Sequence, residues 1–193
     1  MRRILIVVLA VALTLSLVVF IAGCGGNKDK DTAKQYMTDG DASWQLAQDQ
    51  WKKVTDMQTQ ITTTLMSGDL SQLQGAAGTA LTKQFTDGFA AVDQNDQAAK
   101  QQYDSISSLN DVQDYKDYAS QMLQAIDLDQ QRVMAFEALI QSITSYIQSL
   151  PAGQQPNLQQ LASNPDYQRV TDLEMQIQNI EKSADQLRKD KKL

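Results

Sequence analysis

The sequence predicts an all-α protein whose helices form an elongated antiparallel up-down-up-down four-helix bundle with coiled-coil-like packing. Apolar residues recur at spacings of three and four from Trp44 to Leu187, which is typical of helices that bury one stripe. All three prolines lie between Pro151 and Pro165, so residues 28–150 lack the strongest helix breaker. Two of the three predicted connections are short, and short connections place consecutive helices antiparallel.

The first helix is predicted over about residues 32–66. Its apolar stripe consists of Trp44, Ala47, Trp51, Val54, Met57, Ile61 and Leu65. Ser67-Gly68-Asp69 follows with a glycine that ends the helix and an aspartate that can cap the next one. The segment Thr38-Asp39-Gly40-Asp41 is expected to kink or delay the first helix, because glycine has a low helix propensity.

The second and third helices are predicted over about residues 70–108 and 111–150. Glycines at 75, 78 and 88 make the apolar pattern of the second helix the weakest of the four. Asn110-Asp111-Val112-Gln113 is predicted to open the third helix as a variant of the capping box.

Two aspartates interrupt the apolar stripes at similar levels, Asp96 in the second helix and Asp129 in the third. One hypothesis is a buried polar layer that fixes the helix register or binds a cation, with Arg132 or Arg188 as the charge partner. The sequence favours the alternative, in which Leu128 takes the buried position and Asp129 lies at the edge of the stripe.

The fourth helix is predicted over about residues 165–190, where Asn164-Pro165-Asp166 combines a cap, a proline at the first helical position and an early acid. The connection over residues 151–164, with a short turn at 157–162, is either a partner surface or a plain connector. The basic tail from Arg188 to Lys192 is expected to end about 20 Å short of the bundle end where the first helix begins. On that geometry, the helix dipole explains these cations better than contact with lipid does.

The N-terminus has the layout of an export signal, because Met1-Arg2-Arg3 is positive and precedes an apolar run from Ile4 to Ala22. The tetrapeptide Ile21-Ala22-Gly23-Cys24 resembles the lipobox of prokaryotic lipoproteins, apart from isoleucine in place of the usual leucine. The resemblance implies a signal peptide over residues 1–23, cleavage between Gly23 and Cys24, and diacylglycerol and acyl (palmitate-type) lipid on Cys24.

That reading makes residues 24–31 a lipidated tether and residues 32–193 the helical bundle, outside the cytoplasm. The expected location is the outer membrane or the outer face of the cytoplasmic membrane, according to the envelope type. The alternative is an uncleaved transmembrane anchor, since the apolar run is nearly long enough to span a bilayer.

Composition argues against several classes of function. The chain has no histidine and one cysteine, so histidine-ligated haem, a Glu-x-x-His di-metal site and a thiol-based metal or redox site are not expected. No glycine-rich phosphate loop is present. Without Arg2 and Arg3, 15 basic residues face 23 acidic ones, a net charge of −8 that disfavours nucleic acid as a partner. We therefore expect no enzyme activity and no cofactor other than the covalent lipid.

Three functions fit these observations. The leading hypothesis is a membrane-anchored scaffold, spacer or accessory subunit that binds another envelope protein. The second is a small-ligand sensor or carrier with an aromatic pocket between helices, for which the candidate residues are Trp44, Trp51, Tyr103 and Tyr115. These aromatic residues would equally serve as core. The third is a holdase-type envelope chaperone.

Overall fold

A computed structural model describes residues 28–68, 73, 75–151, 154, 157, 159 and 163–193 of the chain. Within them lie four helices: α1 (Lys28–Ser67), α2 (Gly75–Ser107), α3 (Gln113–Ser149) and α4 (Pro165–Lys191). The all-α four-helix prediction is confirmed. The signal segment, Gly23 and Cys24 lie outside the described residues, as does most of the predicted turn at 157–162 and of the connection that contains it.

The helices pack as two antiparallel hairpins, α1 with α2 and α3 with α4, which meet mainly along α2 and α3. Contacts at both ends of α4 establish its direction. The Asn164 Nδ2 donates to Ser142 Oγ at 3.2 Å where α4 begins, and Lys191 Nζ pairs with Asp114 Oδ1 at 2.8 Å where α4 ends. Across the remaining seam, α1 and α4 are joined by long polar side chains.

The predicted 20 Å shortfall of α4 at the end where α1 begins is wrong. Because α4 starts level with Ser142, its missing length relative to α3 falls at the opposite end of the bundle. The basic end of α4 therefore reaches the first turn of α3, where Lys191 meets Asp114.

α1 begins at Lys28, inside the segment predicted to be a tether. Asp29 and Asp31 occupy its first turn, where the positive end of the helix dipole favours acids. The Asp29 Oδ2 also accepts a hydrogen bond from the backbone N–H of Asn110 at 3.0 Å. Only three residues therefore separate Cys24 from α1.

The helix ends confirm two of the predicted signals and correct two. α2 begins at Gly75 rather than at about residue 70, and Asp69, which was predicted to cap it, lies outside the described residues. Gly68 adopts a positive φ of 74° after α1, and the Asn164 side chain accepts from the Asp166 N–H at the start of α4. At the start of α3 no capping box forms. The cap residue is Val112, which makes no side-chain cap, while Asp111 takes a left-handed φ of 55° in the turn.

Gly40 lies within an unbroken helix, contrary to the predicted kink. It is buried against Tyr103 of α2, and a Cβ at this position would lie 2.7 Å from Tyr103 Cε1. Glycine is needed here because the two helices approach closely, and its cost in helix propensity is offset by the packing of a fully buried tyrosine ring.

The core forms two clusters stacked along the bundle axis. The near cluster, at the end where α1 begins, includes Ala33, Met37, Trp44, Ala99, Tyr103, Tyr115, Ile126 and Ile177. The far cluster includes Trp51, Val54, Phe85, Phe89, Phe136, Ile140 and Leu173. On α2 and α3 the boundary between the clusters falls at Asp96 and Asp129, so polar residues divide the core.

Replacing Gly40 by alanine is expected to destabilise the protein by about 1–3 kcal/mol, because the new methyl overlaps a ring that cannot move. At an exposed helical position, replacing glycine by alanine instead stabilises the protein by about 1 kcal/mol. Urea unfolding followed by circular dichroism measures the difference. The control is Ser43→Ala on the same helix, which adds no atoms. A Gly40→Ala variant as stable as the parent protein contradicts the close packing.

Candidate functional site

A buried polar layer crosses the middle of the bundle. Asp96 of α2 and Asp129 of α3 are 0% exposed, and Arg132 of α3 is 2% exposed. Asp129 and Arg132 are three residues apart on one helix, which places them on the same face and lets them form an ion pair. Such groups are costly to bury unless each has a partner, so the contacts of each one matter.

The Arg132 side chain contacts groups on α1, α3 and α4. Besides Asp129, its Nη2 donates to Gln48 Oε1 of α1 at 3.2 Å, and its Nη1 lies 4.0 Å from Glu174 Oε1 of α4. The guanidinium also stacks 4.0 Å from the ring centroid of Trp51, a cation–π contact. Burial lowers the pKa of Arg132, and the neighbouring carboxylates oppose that change.

Asp96 has a different role from Asp129. Neither of its oxygens receives a hydrogen bond from any donor in the described part of the chain. Burial, together with the nearby charge of Asp129, raises the pKa of Asp96 to about 9, although Arg132 acts against this. Asp96 is therefore protonated at neutral pH and can donate to Asp129. Burial raises the pKa of Asp129 as well, and the neighbouring Arg132 guanidinium opposes that rise.

The favoured sequence interpretation of this region, with Asp129 at the edge of the stripe, is wrong. Asp129 is fully buried, whereas Leu128 is only partly buried. Of the two arginines considered as partners, Arg132 makes the contact and Arg188 does not. Arg132 itself, one turn from Asp129, was the available signal, because it could neutralise the acid without any change in backbone course.

A second polar cluster surrounds Asp41 near the start of the bundle. The hydroxyls of Tyr103 and Tyr118 each donate to its Oδ1 at 2.8 Å, and Arg188 Nη1 donates to its Oδ2 at 2.8 Å. Burial and the Asp41 charge raise the pKa of both tyrosines. This cluster connects α1, α2, α3 and α4. Sequence reasoning missed it, since Asp41 was assigned to the expected kink.

The four aromatic residues considered as a ligand pocket do not surround one space. Trp51 belongs to the far cluster, where its ring meets Phe136 edge-on at 5.2 Å, whereas the other three belong to the near cluster. Tyr103 and Tyr115 are core side chains. Trp44 borders a cleft of about 290 Å³ on the seam between α1 and α4, together with Asp41, Tyr118, Glu181, Asp185 and Arg188.

Trp44 contributes little open surface to this cleft. It is 5% exposed, and its indole N–H donates to Glu181 Oε1 at 2.7 Å. Asp41, likewise, already accepts three hydrogen bonds. The charged groups that a small molecule could reach are therefore the carboxylates of Glu181 and Asp185 and the guanidinium of Arg188, whose side chain is 41% exposed.

Asp96→Asn is expected to flatten the dependence of stability on pH. The pKa of Asp96 is about 9 in the folded state, above its unfolded value of 3.8. The contribution of Asp96 to the free energy of unfolding is therefore complete below pH 3.8 and is lost as the pH rises towards about 9. Asparagine does not titrate, so at pH 8 the free energy of unfolding of the variant, relative to that of the parent protein, should be roughly 2–5 kcal/mol higher than at pH 4. Urea unfolding from pH 4 to pH 9 measures the gain. The exposed control Asp104→Asn should follow the parent profile, and a parallel profile for Asp96→Asn contradicts the assignment.

Asp129→Leu is expected to cost about 3–5 kcal/mol, because it leaves the Arg132 guanidinium buried without its nearest charge partner. The triple variant Asp96→Leu/Asp129→Leu/Arg132→Met removes the whole charged layer and should recover most of that loss. Chemical unfolding of both variants measures the two values. If the single variant is as stable as the parent, the ion pair does not hold this layer together.

Within residues 28–68, 75–151 and 163–193, no group of three or more potential metal ligands is found, and no helix is both long and apolar enough to cross a membrane. Comparisons of the chain with protein-family models, curated proteins and solved structures find no match. The case for a function therefore depends on the chain's own residues.

Proposed function

We propose that the chain is a lipid-anchored, extracytoplasmic lipoprotein of the cell envelope. Its bundle is non-catalytic and binds another envelope protein as a scaffold, spacer or accessory subunit. Acyl chains on Cys24 hold it in the outer membrane or on the outer face of the cytoplasmic membrane. Two or more such chains are needed, because a single chain gives only marginal binding.

The lipobox-like tetrapeptide carries this proposal. Ile21-Ala22-Gly23-Cys24 follows a basic start and a long apolar run, and it contains the single cysteine of the chain. Small residues before the cysteine suit a peptidase that needs an extended backbone, and the thiol is the nucleophile that takes lipid as a thioether. The tetrapeptide ends three residues before α1.

The character of the bundle supports a structural role. α1 alone has 40 residues, about 60 Å of continuous helix, so the bundle can hold a partner at a set distance from a membrane. Asp41 is engaged by side chains of three other helices, and the two terminal nitrogens of Arg132 face Asp129, Gln48 and Glu174. Such contacts stabilise the bundle and leave few groups that could act on a substrate.

A small-ligand carrier is the second candidate, and the cleft beside Trp44 favours it. Its accessible carboxylates, Glu181 and Asp185, define an acidic opening between α1 and α4. The cleft is largely open to solvent and offers little apolar surface, whereas ligand sites usually bury most of a ligand. The scaffold function is therefore preferred.

Cys24→Ser is expected to abolish acylation and to move the protein from the membrane fraction to the soluble fraction, because a serine oxygen does not replace the thiolate. Intact-mass measurement and fractionation of a bacterial host that expresses the chain are the readouts. The control Cys24→Ser/Ser43→Cys keeps one thiol but places it in α1 and should remain unacylated. A parent protein that keeps Met1 and carries no acyl mass would overturn the anchor.

A further inference from the structure

We propose that the bundle rests on anionic phospholipid headgroups through a basic edge formed by the start of α1 and the end of α4. This edge consists of residues 28–34 and 185–193. The proposal rests on the acyl anchor at Cys24, and it adds the surface that faces the membrane and the lipid chemistry that this surface recognises.

The two parts of the edge lie at the same end of the bundle. Asp29 of α1 accepts from the Asn110 N–H in the turn between α2 and α3, and Lys191 of α4 pairs with Asp114 just after that turn. Arg188 of α4, three residues before Lys191, reaches Asp41 at 2.8 Å, and Asp41 lies thirteen residues after the start of α1. The end of α4 and the start of α1 therefore lie at the same end of the bundle, and α1 extends beyond the level of Arg188.

Charge is distributed unevenly along the bundle. The basic edge contains seven basic and four acidic residues, a net charge of +3, although residues 24–193 as a whole carry −8. The basic ones are Lys28, Lys30, Lys34, Arg188, Lys189, Lys191 and Lys192, and all six lysines are exposed. The acidic ones are Asp29, Asp31, Asp185 and Asp190. The rest of the chain after Cys24 therefore carries −11.

The anchor brings this edge to the membrane. Four residue steps from Cys24 to Lys28 span at most about 14 Å even when fully extended. At physiological ionic strength, charges interact over a screening length of about 8–10 Å, so the start of α1 feels the surface potential whenever these four steps are not fully extended. Anionic headgroups attract lysines at such positions and repel the acidic remainder. Together, the attraction and the repulsion hold the basic edge at the membrane and keep the acidic remainder of the bundle away from it.

The acidic turn between α2 and α3 opposes this contact in part. Residues 101–119 carry four acids, Asp104, Asp111, Asp114 and Asp117, against the single Lys116. Asp114 is already paired with Lys191, and Asp41 with Arg188, so each of these pairs neutralises one cation of the basic edge as well as one acid outside it. Because the chain leaves Cys24 on the α1 side, the basic edge lies nearer the anchor than this turn does, so the bundle settles on that edge.

The experiment labels lysines of the acylated full-length protein with an uncharged amine reagent after reconstitution into vesicles. One set of vesicles is phosphatidylcholine alone, and the other contains about one third phosphatidylglycerol. Mass spectrometry gives the labelling rate of each lysine. In anionic vesicles Lys30, Lys34, Lys189 and Lys192 should react at least threefold more slowly than in zwitterionic ones. The protection should fade at about 0.5 M NaCl.

Lys52, Lys53 and Lys83 lie further along the bundle and serve as controls within the same molecule, with equal rates expected in both vesicles. The variant Lys189→Gln/Lys192→Gln should weaken protection of Lys30 and Lys34, whereas the matched Lys52→Gln/Lys53→Gln should not. Equal labelling of the basic edge in both vesicles, or protection that ignores salt, overturns the proposal. Intact mass taken beforehand separates the two claims: without acyl mass the anchor itself fails, and with it only the headgroup contact is at stake.

Discussion

The ion pair between Arg132 and Asp129 is the constraint on which the arrangement of the helices depends. A guanidinium that is 2% exposed has lost its water and must find its partners within the protein. It finds them on three helices, with Gln48 and Trp51 on α1, Asp129 on α3 and Glu174 on α4, while Asp96 of α2 lies nearby. Sliding α1 or α4 by one turn would remove Gln48 or Glu174 from its place beside this charge. The layer therefore specifies register in a bundle whose apolar stripes alone would tolerate several alignments.

The seam between α1 and α4 shows the same reliance on polar contacts. On this seam Asp41 meets Arg188 and Trp44 meets Glu181. These pairs lie at successive levels along the axis, with partly exposed charges at the rim. Because polar pairs are directional while apolar contacts are not, this seam determines which faces of the two hairpins meet.

The fold could be predicted from periodicity because long helices repeat one simple pattern many times. The stripes, the placement of the prolines and the cap at Asn164 all correspond to local rules. What could not be predicted depended on distance between segments. Gly40 suggested a kink because its helix propensity is low, and only the position of Tyr103 explains why a continuous helix keeps it. The burial of Asp129 likewise depends on how far α1, α2 and α4 project around it. The level at which α4 starts was also unpredictable, since it is determined by Ser142 and the connection rather than by α4 itself.

Continuity of α1 past Gly40 has a mechanical consequence. Because α1 is unbroken from Lys28 to Ser67, a change in the direction of its first turn changes the position of its last turn. A rotation of about ten degrees at Lys28 sweeps Ser67 through roughly 10 Å, given about 1.5 Å of rise per residue. The remote tip thus behaves as the end of a lever arm. Any contact that restricts rotation at Lys28 therefore restricts the distance over which Ser67 can move.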